Sequence, residues 1–270
     1  MTLRDITEYY DWFAEEHRLT AREGQLEFVR TCDILSRFLP AAPARIVDVG
    51  GGAGVYSLWL AERGYEVHLI DATPRLVEEA RKRSAASARP IASLTIGDAR
   101  SLALPDDSAD AVLLMGPLYH LIDAGDRRQA LSEAFRVMKS PGRVAVAAIS
   151  RYAAALDGIR SGRATDPEFM RLRDRGLRDG IHLNESKHPD YFTTAFFHRP
   201  DDLRDEVSAA GFADVRVLGV EGPGWVMPDF SDRWNDHALR SDIVHVARAV
   251  ESEPSIVGAS AHLLAIGRKA

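Results

Sequence analysis

The chain has 270 residues, 46% hydrophobic and 27% charged, which suits one domain with insertions or one domain plus a cap. Its net charge of −6 disfavours a polyanionic partner such as DNA or RNA, since those select basic surfaces. Cys32 is the only cysteine, which excludes an intrachain disulfide and a Cys-rich zinc site.

Residues 5–39 read as two helices. In the second, Leu26, Val29, Cys32, Leu35 and Leu39 recur at helical spacing before Pro40. A β-branched run, Ile46 to Val49, reads as a buried strand and meets Gly50, Gly51, Gly52, Ala53 and Gly54. A helix over 54–63 follows, so a helix N-terminus and a backbone without side chains stand beside a ligand. Further strands are predicted near 66–70, 92–97, 110–115 and 143–149, with helices near 74–86 and 126–139. A helix starts after Pro200 and stops at Gly211, and strands near 215–220 and 261–266 close the chain.

The loop spacing selects a cofactor class. A dinucleotide fingerprint reads Gly-x-Gly-x-x-Gly, whereas Gly50, Gly52 and Gly54 read Gly-x-Gly-x-Gly, with Asp48 two residues before. Asp71 ends the second strand about 20 residues after the first glycine, where an acid can accept from ribose hydroxyls. With these residues the chain resembles the class I S-adenosylmethionine (SAM)-dependent methyltransferases. The resemblance extends through Leu94-Thr-Ile-Gly-Asp-Ala99, Asp110 to Leu121, and Leu131 to Arg143, where the family more often has Pro-Gly-Gly than Pro-Gly-Arg. It covers about residues 45–149 and resumes at Pro200.

The resemblance implies a doubly wound α/β fold. Its sheet has seven mostly parallel strands, with an antiparallel last strand and a mainly helical cap. It places the methionine moiety and ribose on Asp48, Gly50, Gly52 and Gly54, the ribose on Asp71 and Ala72, and the adenine amino group on Asp98 beside Ala99. Met115 and Gly116 lend backbone and surface to the cofactor. Tyr10 is the N-terminal candidate to close over its methionine end, with helix packing the alternative, and Arg22 or Arg30 is a candidate for its carboxylate, with a surface arginine the default. SAM is the implied cofactor and S-adenosylhomocysteine the product.

His120, in Gly116-Pro-Leu-Tyr-His-Leu121, is the general-base candidate; its alternatives are a pocket contact and a structural loop histidine. Tyr119 is a substrate or packing residue. In the aromatic stretch 191–198, Tyr191 and His198 are candidate acceptor contacts, and lid packing is the competing reading. Trp225 in Glu221-Gly-Pro-Gly-Trp225 carries the same pair of readings. The arginine-rich segment 160–178 reads as a basic lid or, more simply, a solvated helix with salt bridges. No His/Asp/Glu spacing suggests a metal, and His262 reads as a packing residue.

The expected organisation is an N-terminal helical cap over 1–40 and a SAM-binding domain over 41–270. Insertions at 151–199 and 221–255 would join the cap over the cofactor. The N-terminus lacks a signal peptide's basic start and apolar core, and no apolar run approaches the about 18 residues of a membrane span, so cytoplasmic residence is expected. The expected activity is methylation of an O or N atom of a small molecule, with neither nucleic acid nor membrane as partner. Methylation of protein or RNA, SAM binding without catalysis and NAD-dependent oxidation are the rivals. The long insertions and Gly116 to Leu121 resemble bacterial ubiquinone and secondary-metabolite methyltransferases.

Overall fold

The computed structural model describes residue 19 and residues 24–270, apart from 187, 189, 190 and 192. Strands β1 (Arg45–Val49), β2 (Glu66–Asp71), β3 (Ser93–Ile96), β4 (Ala109–Leu114) and β5 (Met138–Ser150) are parallel, in the order β3-β2-β1-β4-β5. Val49 lies opposite both Ile70 and Leu114, and Asp71 opposite Ile96. The carboxyl ends are therefore in register, and the loops beginning at Gly50, Ala72, Gly97 and Met115 leave along one edge. The order reverses between β1 and β4, the switch point where open α/β sheets bind ligands.

Strand β9 (His262–Lys269) runs antiparallel to β5, and β8 (Ala213–Gly219) antiparallel to β9. These seven strands make the expected sheet. Two more, β6 (Ile181–His182) and β7 (Ala195–His198), come from the first insertion. Strand β7 pairs parallel with Ile149 and Ser150 of β5. Because β9 occupies one edge of β5 up to Ile149, β7 takes the other edge, beyond the reach of β4.

Side chains alternate across the strands, so the sheet carries two cores. Ile46, Val67, Leu69, Ala111 and Leu113 face helices α1 (Gly24–Phe38), α2 (Val55–Glu62) and α3 (Pro74–Ala86), which supply Ile34, Leu35, Leu60, Val77 and Ala80. Val47, Val49, Val112, Leu114, Val144 and Val146 face the other way. There they meet Leu131, Ala134 and Val137 of α5 (Ala124–Val137) and Leu203 and Val207 of α8 (Pro200–Ala209). Between β4 and α5 lies the single turn α4 (Pro117–His120). Asp123 starts α5 by accepting from the amides of Gly125 at 2.7 Å and Asp126 at 3.2 Å.

The first insertion also folds α6 (Ala153–Arg160) and α7 (Pro167–Asp179). Buried Phe169 seats against Gly158, where an added Cβ would lie 2.4 Å from its ring. The arginines are those of a salt-bridged helix: Arg160 and Arg163 both reach Asp157, and Arg175 and Arg178 reach Asp179. The second insertion folds α9 (Phe230–Asn235) and α10 (His237–Ala249). Phe230 and Trp234 enclose Leu26 of α1, and the Trp234 indole donates to Gln25 Oε1 at 2.6 Å.

A buried ion network ties this insertion to α1. Arg30, fully buried, pairs with Asp33 and Glu251 and donates to the Val220 carbonyl at 3.2 Å. Arg37 grips the same Glu251 at 2.6 and 2.7 Å. Arg30 is therefore neither the surface arginine nor the cofactor's cation that the sequence suggests. Among the described residues no helix is long and apolar enough to cross a membrane.

Candidate cofactor and acceptor site

The loops at the carboxyl edge enclose a cleft of about 940 Å³, its open mouth included. Gly50, Gly52, Asp71, Ala72, Asp98, Ala99, Met115, Gly116, Tyr119 and His120 all line it.

The glycines do different work. Gly50, Gly52 and Gly54 all have left-handed backbone, at φ 73, 54 and 79°. A Cβ on Gly50 would meet Pro117 Cδ at 2.6 Å, and one on Gly54 would crowd Ala80 and Ile91 at 3.2 Å. Those two permit close packing, of the α4 turn and of α3 respectively. Gly52 has nothing nearer than Leu76 Cδ1 at 3.9 Å, so its missing side chain leaves open cleft. Gly54 itself does not line the cleft, which corrects its place among the cofactor contacts.

Asp48 is also displaced from that role. It is fully buried behind the loop, where it accepts from the Ser57 hydroxyl of α2 at 2.7 Å. Burial pushes its pKa up to about 6, with the Ser57 hydrogen bond opposing and nearby Asp71 adding. Asp71 lies at the cleft wall, and its two oxygens accept from the amides of Gly52 and Thr73, each at 2.8 Å. Burial raises its pKa against those hydrogen bonds. Asp98 is gripped by Arg100, whose Nη2 lies 2.7 Å from Oδ2 and whose amide donates to Oδ1 at 2.9 Å. Burial pushes the Asp98 pKa up, but the Arg100 hydrogen bonds outweigh it and hold the carboxylate below its ordinary range.

The α4 turn supplies the polar end. The Tyr119 hydroxyl donates to the Met115 carbonyl at 3.3 Å, and its ring lies 4.7 Å from that of His120. Tyr119 rests on Ile149, Ala153 and Phe197, so β7 and α6 buttress the turn from behind. His120 is buried, and burial pulls its pKa down to about 4. The imidazole is neutral at pH 7.

Three expected acceptor contacts do not reach the cleft. The Tyr191 hydroxyl pairs with Asp166 at the start of α7, and its ring stacks on His188 at 4.2 Å. His198 is fully buried in β7 and reaches Glu206 Oε2 of α8 at 3.2 Å. Trp225 donates to the Ala259 carbonyl at 2.9 Å, fixing the exit from β8. In each case the aromatic body fills a seam between elements and the polar tip is used inside it. Among the described residues neither insertion lines the cleft. One backs α4 and the other clamps α1, so among the described residues neither forms the expected cap over the cofactor. Tyr10 and Arg22 lie outside the described residues.

Sequence reasoning missed Leu19, Tyr56, Leu76 and Leu121 as lining residues. Tyr56 had a signal, since it sits in the first turn after the glycine loop. Leu19 had none.

A methyltransferase-domain family model matches residues 46–142. The demethylmenaquinone methyltransferase of Clavibacter sepedonicus is 31% identical over 65% of this chain and 68% of its own length. The aklanonic acid methyltransferase DauC of Streptomyces sp. (strain C5) is 30% identical over 66% of this chain and 78% of its own. The chain spans 40% of the length of an uncharacterized methyltransferase of Mycobacterium tuberculosis, at 34% identity. A SAM-dependent methyltransferase from Thermotoga maritima shares the fold, with a TM-score of 0.56 over 99% of this chain and 98% of its own, at 21% identity. The chain belongs to the class I SAM-dependent methyltransferase family, whose cofactor is SAM. The donor set fits that cofactor: an open backbone at Gly52, an acid at Asp71 and a fixed acceptor at Asp98.

Proposed function

We propose that this protein transfers a methyl group from SAM to an O or N atom of a small-molecule acceptor, releasing S-adenosylhomocysteine. SAM, when bound, supplies a methyl group already activated on a sulfonium. Gly52, Asp71 and Asp98 hold the cofactor, and the α4 turn faces the acceptor. Tyr119 shapes the acceptor's seat. His120, kept neutral by burial, accepts a proton from an acceptor hydroxyl as the new bond forms. An amine acceptor attacks as the free base and has no such need.

The observation that carries the reading is the cleft itself. It ends in Tyr119 and His120, and has Asp71 and Asp98 but no Lys or Arg in its described lining. Such a lining does not attract a phosphate backbone. Two relatives are named for small-molecule acceptors, demethylmenaquinone and aklanonic acid, which favours the same class.

The test is an acceptor screen with methyl-labelled SAM against phenols, quinols and amines, with protein and RNA fractions alongside. Label in an extractable small molecule supports the proposal. Label confined to protein or RNA contradicts it. Cofactor binding without label anywhere makes the chain a SAM-binding regulator.

A further inference from the structure

Glu221 just after β8 and His262 at the start of β9 are far from Glu27 of α1 in sequence, yet the three meet in space. One ligand atom from each lies within 4.8 Å of the other two. His262 Nδ1 is 2.5 Å from Glu221 Oε1 and 3.6 Å from Glu27 Oε2. Both carboxylates are buried, with Glu221 at 2% and Glu27 at 7% exposure. The His262 side chain keeps 24% exposure, which leaves a path from solvent.

The site is braced in the manner of a metal centre. The other oxygen of Glu221, Oε2, accepts from the Ser260 hydroxyl at 2.6 Å and from the His262 amide at 3.0 Å. Those bonds turn Oε1 towards the imidazole and fix its carboxylate plane. Such outer hydrogen bonds orient metal-ligating carboxylates. The nearby guanidinium of Arg30, one turn along α1, is committed to Asp33, Glu251 and the Val220 carbonyl.

We propose that Glu27, Glu221 and His262 form a binding site for one divalent transition-metal ion, with Zn²⁺ the best fit. Two carboxylate oxygens and one imidazole nitrogen suit Zn²⁺, which takes three protein ligands at about 2.0–2.2 Å and leaves a fourth position open. Mg²⁺ and Ca²⁺ prefer sites built from oxygen alone. Nδ1 and Oε1 share a hydrogen bond at 2.5 Å in this structure, so binding the ion must replace that contact with the wider spacing of two ligands on one ion. His262 pairs with Ile149 at the carboxyl end of β5, so the ion lies at the same end of the sheet as the cofactor cleft. Glu27 precedes Phe28, whose ring stacks on the cleft residue Tyr56 at 5.7 Å.

The competing account is a proton shared between the imidazole and the two carboxylates. Equilibrium dialysis of chelator-treated full-length protein against Zn²⁺, with bound metal counted by elemental analysis, separates the two. The metal site predicts one equivalent in the wild type and a loss of affinity of at least about tenfold in Glu27→Gln. Ser260→Ala, which removes only the brace, should weaken binding about 10–100-fold. S-adenosylhomocysteine titration of each variant reports that the fold and the cofactor cleft are intact. Absence of stoichiometric Zn²⁺, or equal affinity in wild type and Glu27→Gln, overturns the proposal. Neither result bears on whether the cleft binds SAM.

Discussion

The Gly52 amide donates to Asp71 Oδ2 at 2.8 Å, so the acid at the end of β2 also sets the shape of the glycine loop. The second oxygen of Asp71 holds the Thr73 amide in the same way. Asp71→Ala removes a cofactor acceptor and strands two backbone donors at once. The variant should fold, should lose most of its affinity for S-adenosylhomocysteine, and should be about 1–3 kcal/mol less stable for each buried donor left unpaired. Calorimetric titration and denaturant unfolding read the two losses separately.

His120 should behave as an acceptor-side residue. His120→Ala should leave S-adenosylhomocysteine affinity nearly unchanged and lower kcat for a hydroxyl acceptor. The effect should lie in the range of about 10²–10⁴-fold typical of a removed general base. Single-turnover methyl transfer measures it. Equal loss of cofactor affinity would make His120 a cofactor residue instead.

His120 and Asp48 pull stability in opposite directions with pH. The imidazole pKa is about 4 in the fold against an ordinary 6.5, so only the unfolded chain binds that proton between those values. Its contribution is full above pH 6.5 and is lost as pH falls towards 4, a loss of about 3 kcal/mol at about 1.4 kcal/mol per unit. Asp48 is raised from 3.8 to about 6, so the folded chain holds the extra proton in that window. Its contribution is present below pH 3.8 and is lost as pH rises through 6. Relative to wild type, His120→Phe should lose stability more steeply as pH rises across the shared window, and Asp48→Asn should gain it. Urea unfolding at a series of pH values gives both slopes.

Gly50 and Gly52 should respond differently to one methyl group. Both pay about 1–2 kcal/mol for a side chain in left-handed backbone. Gly50→Ala adds the contact with Pro117 Cδ at 2.6 Å, so it should cost more stability. Gly52→Ala meets nothing nearer than 3.9 Å, so its larger effect should fall on cofactor affinity. Thermal melts with and without S-adenosylhomocysteine make the comparison.

Glu251 holds both Arg30 and Arg37, and Arg30 is fully buried. Glu251→Ala should therefore cost about 3–5 kcal/mol, the penalty for breaking a buried pair from one side. Glu66→Ala, which removes the exposed contacts with Arg45 and His68, should cost no more than about 1 kcal/mol. Chemical denaturation of the two variants tests the contrast.

Most elements between Arg45 and Ile149 were legible because each is written locally; the α4 turn, read as a loop, and the start of β5 at Met138, read as the end of a helix, were not. Runs such as Ile46 to Val49 end in glycine or acid, and Leu131, Ala134 and Val137 recur at helical spacing. The cleft wall was legible for the same reason, since each of β1 to β4 delivers its own loop to one edge. Strands β6 and β7 were not, because two and four residues form a strand only by pairing, here with the end of β5. Tyr191, His198 and Trp225 misled because aromatic content marks burial without saying which seam is filled. Arg30 with Glu251, and Glu27 with Glu221 and His262, join residues that only the tertiary fold brings together.

The most direct test of the central claim is calorimetric titration of the purified protein with S-adenosylhomocysteine, with NAD as the control. The Gly-x-Gly-x-Gly loop, Asp71 and Asp98 predict one equivalent of S-adenosylhomocysteine bound and no NAD. Binding of NAD, or of neither ligand after co-purified cofactor has been excluded, would contradict the account.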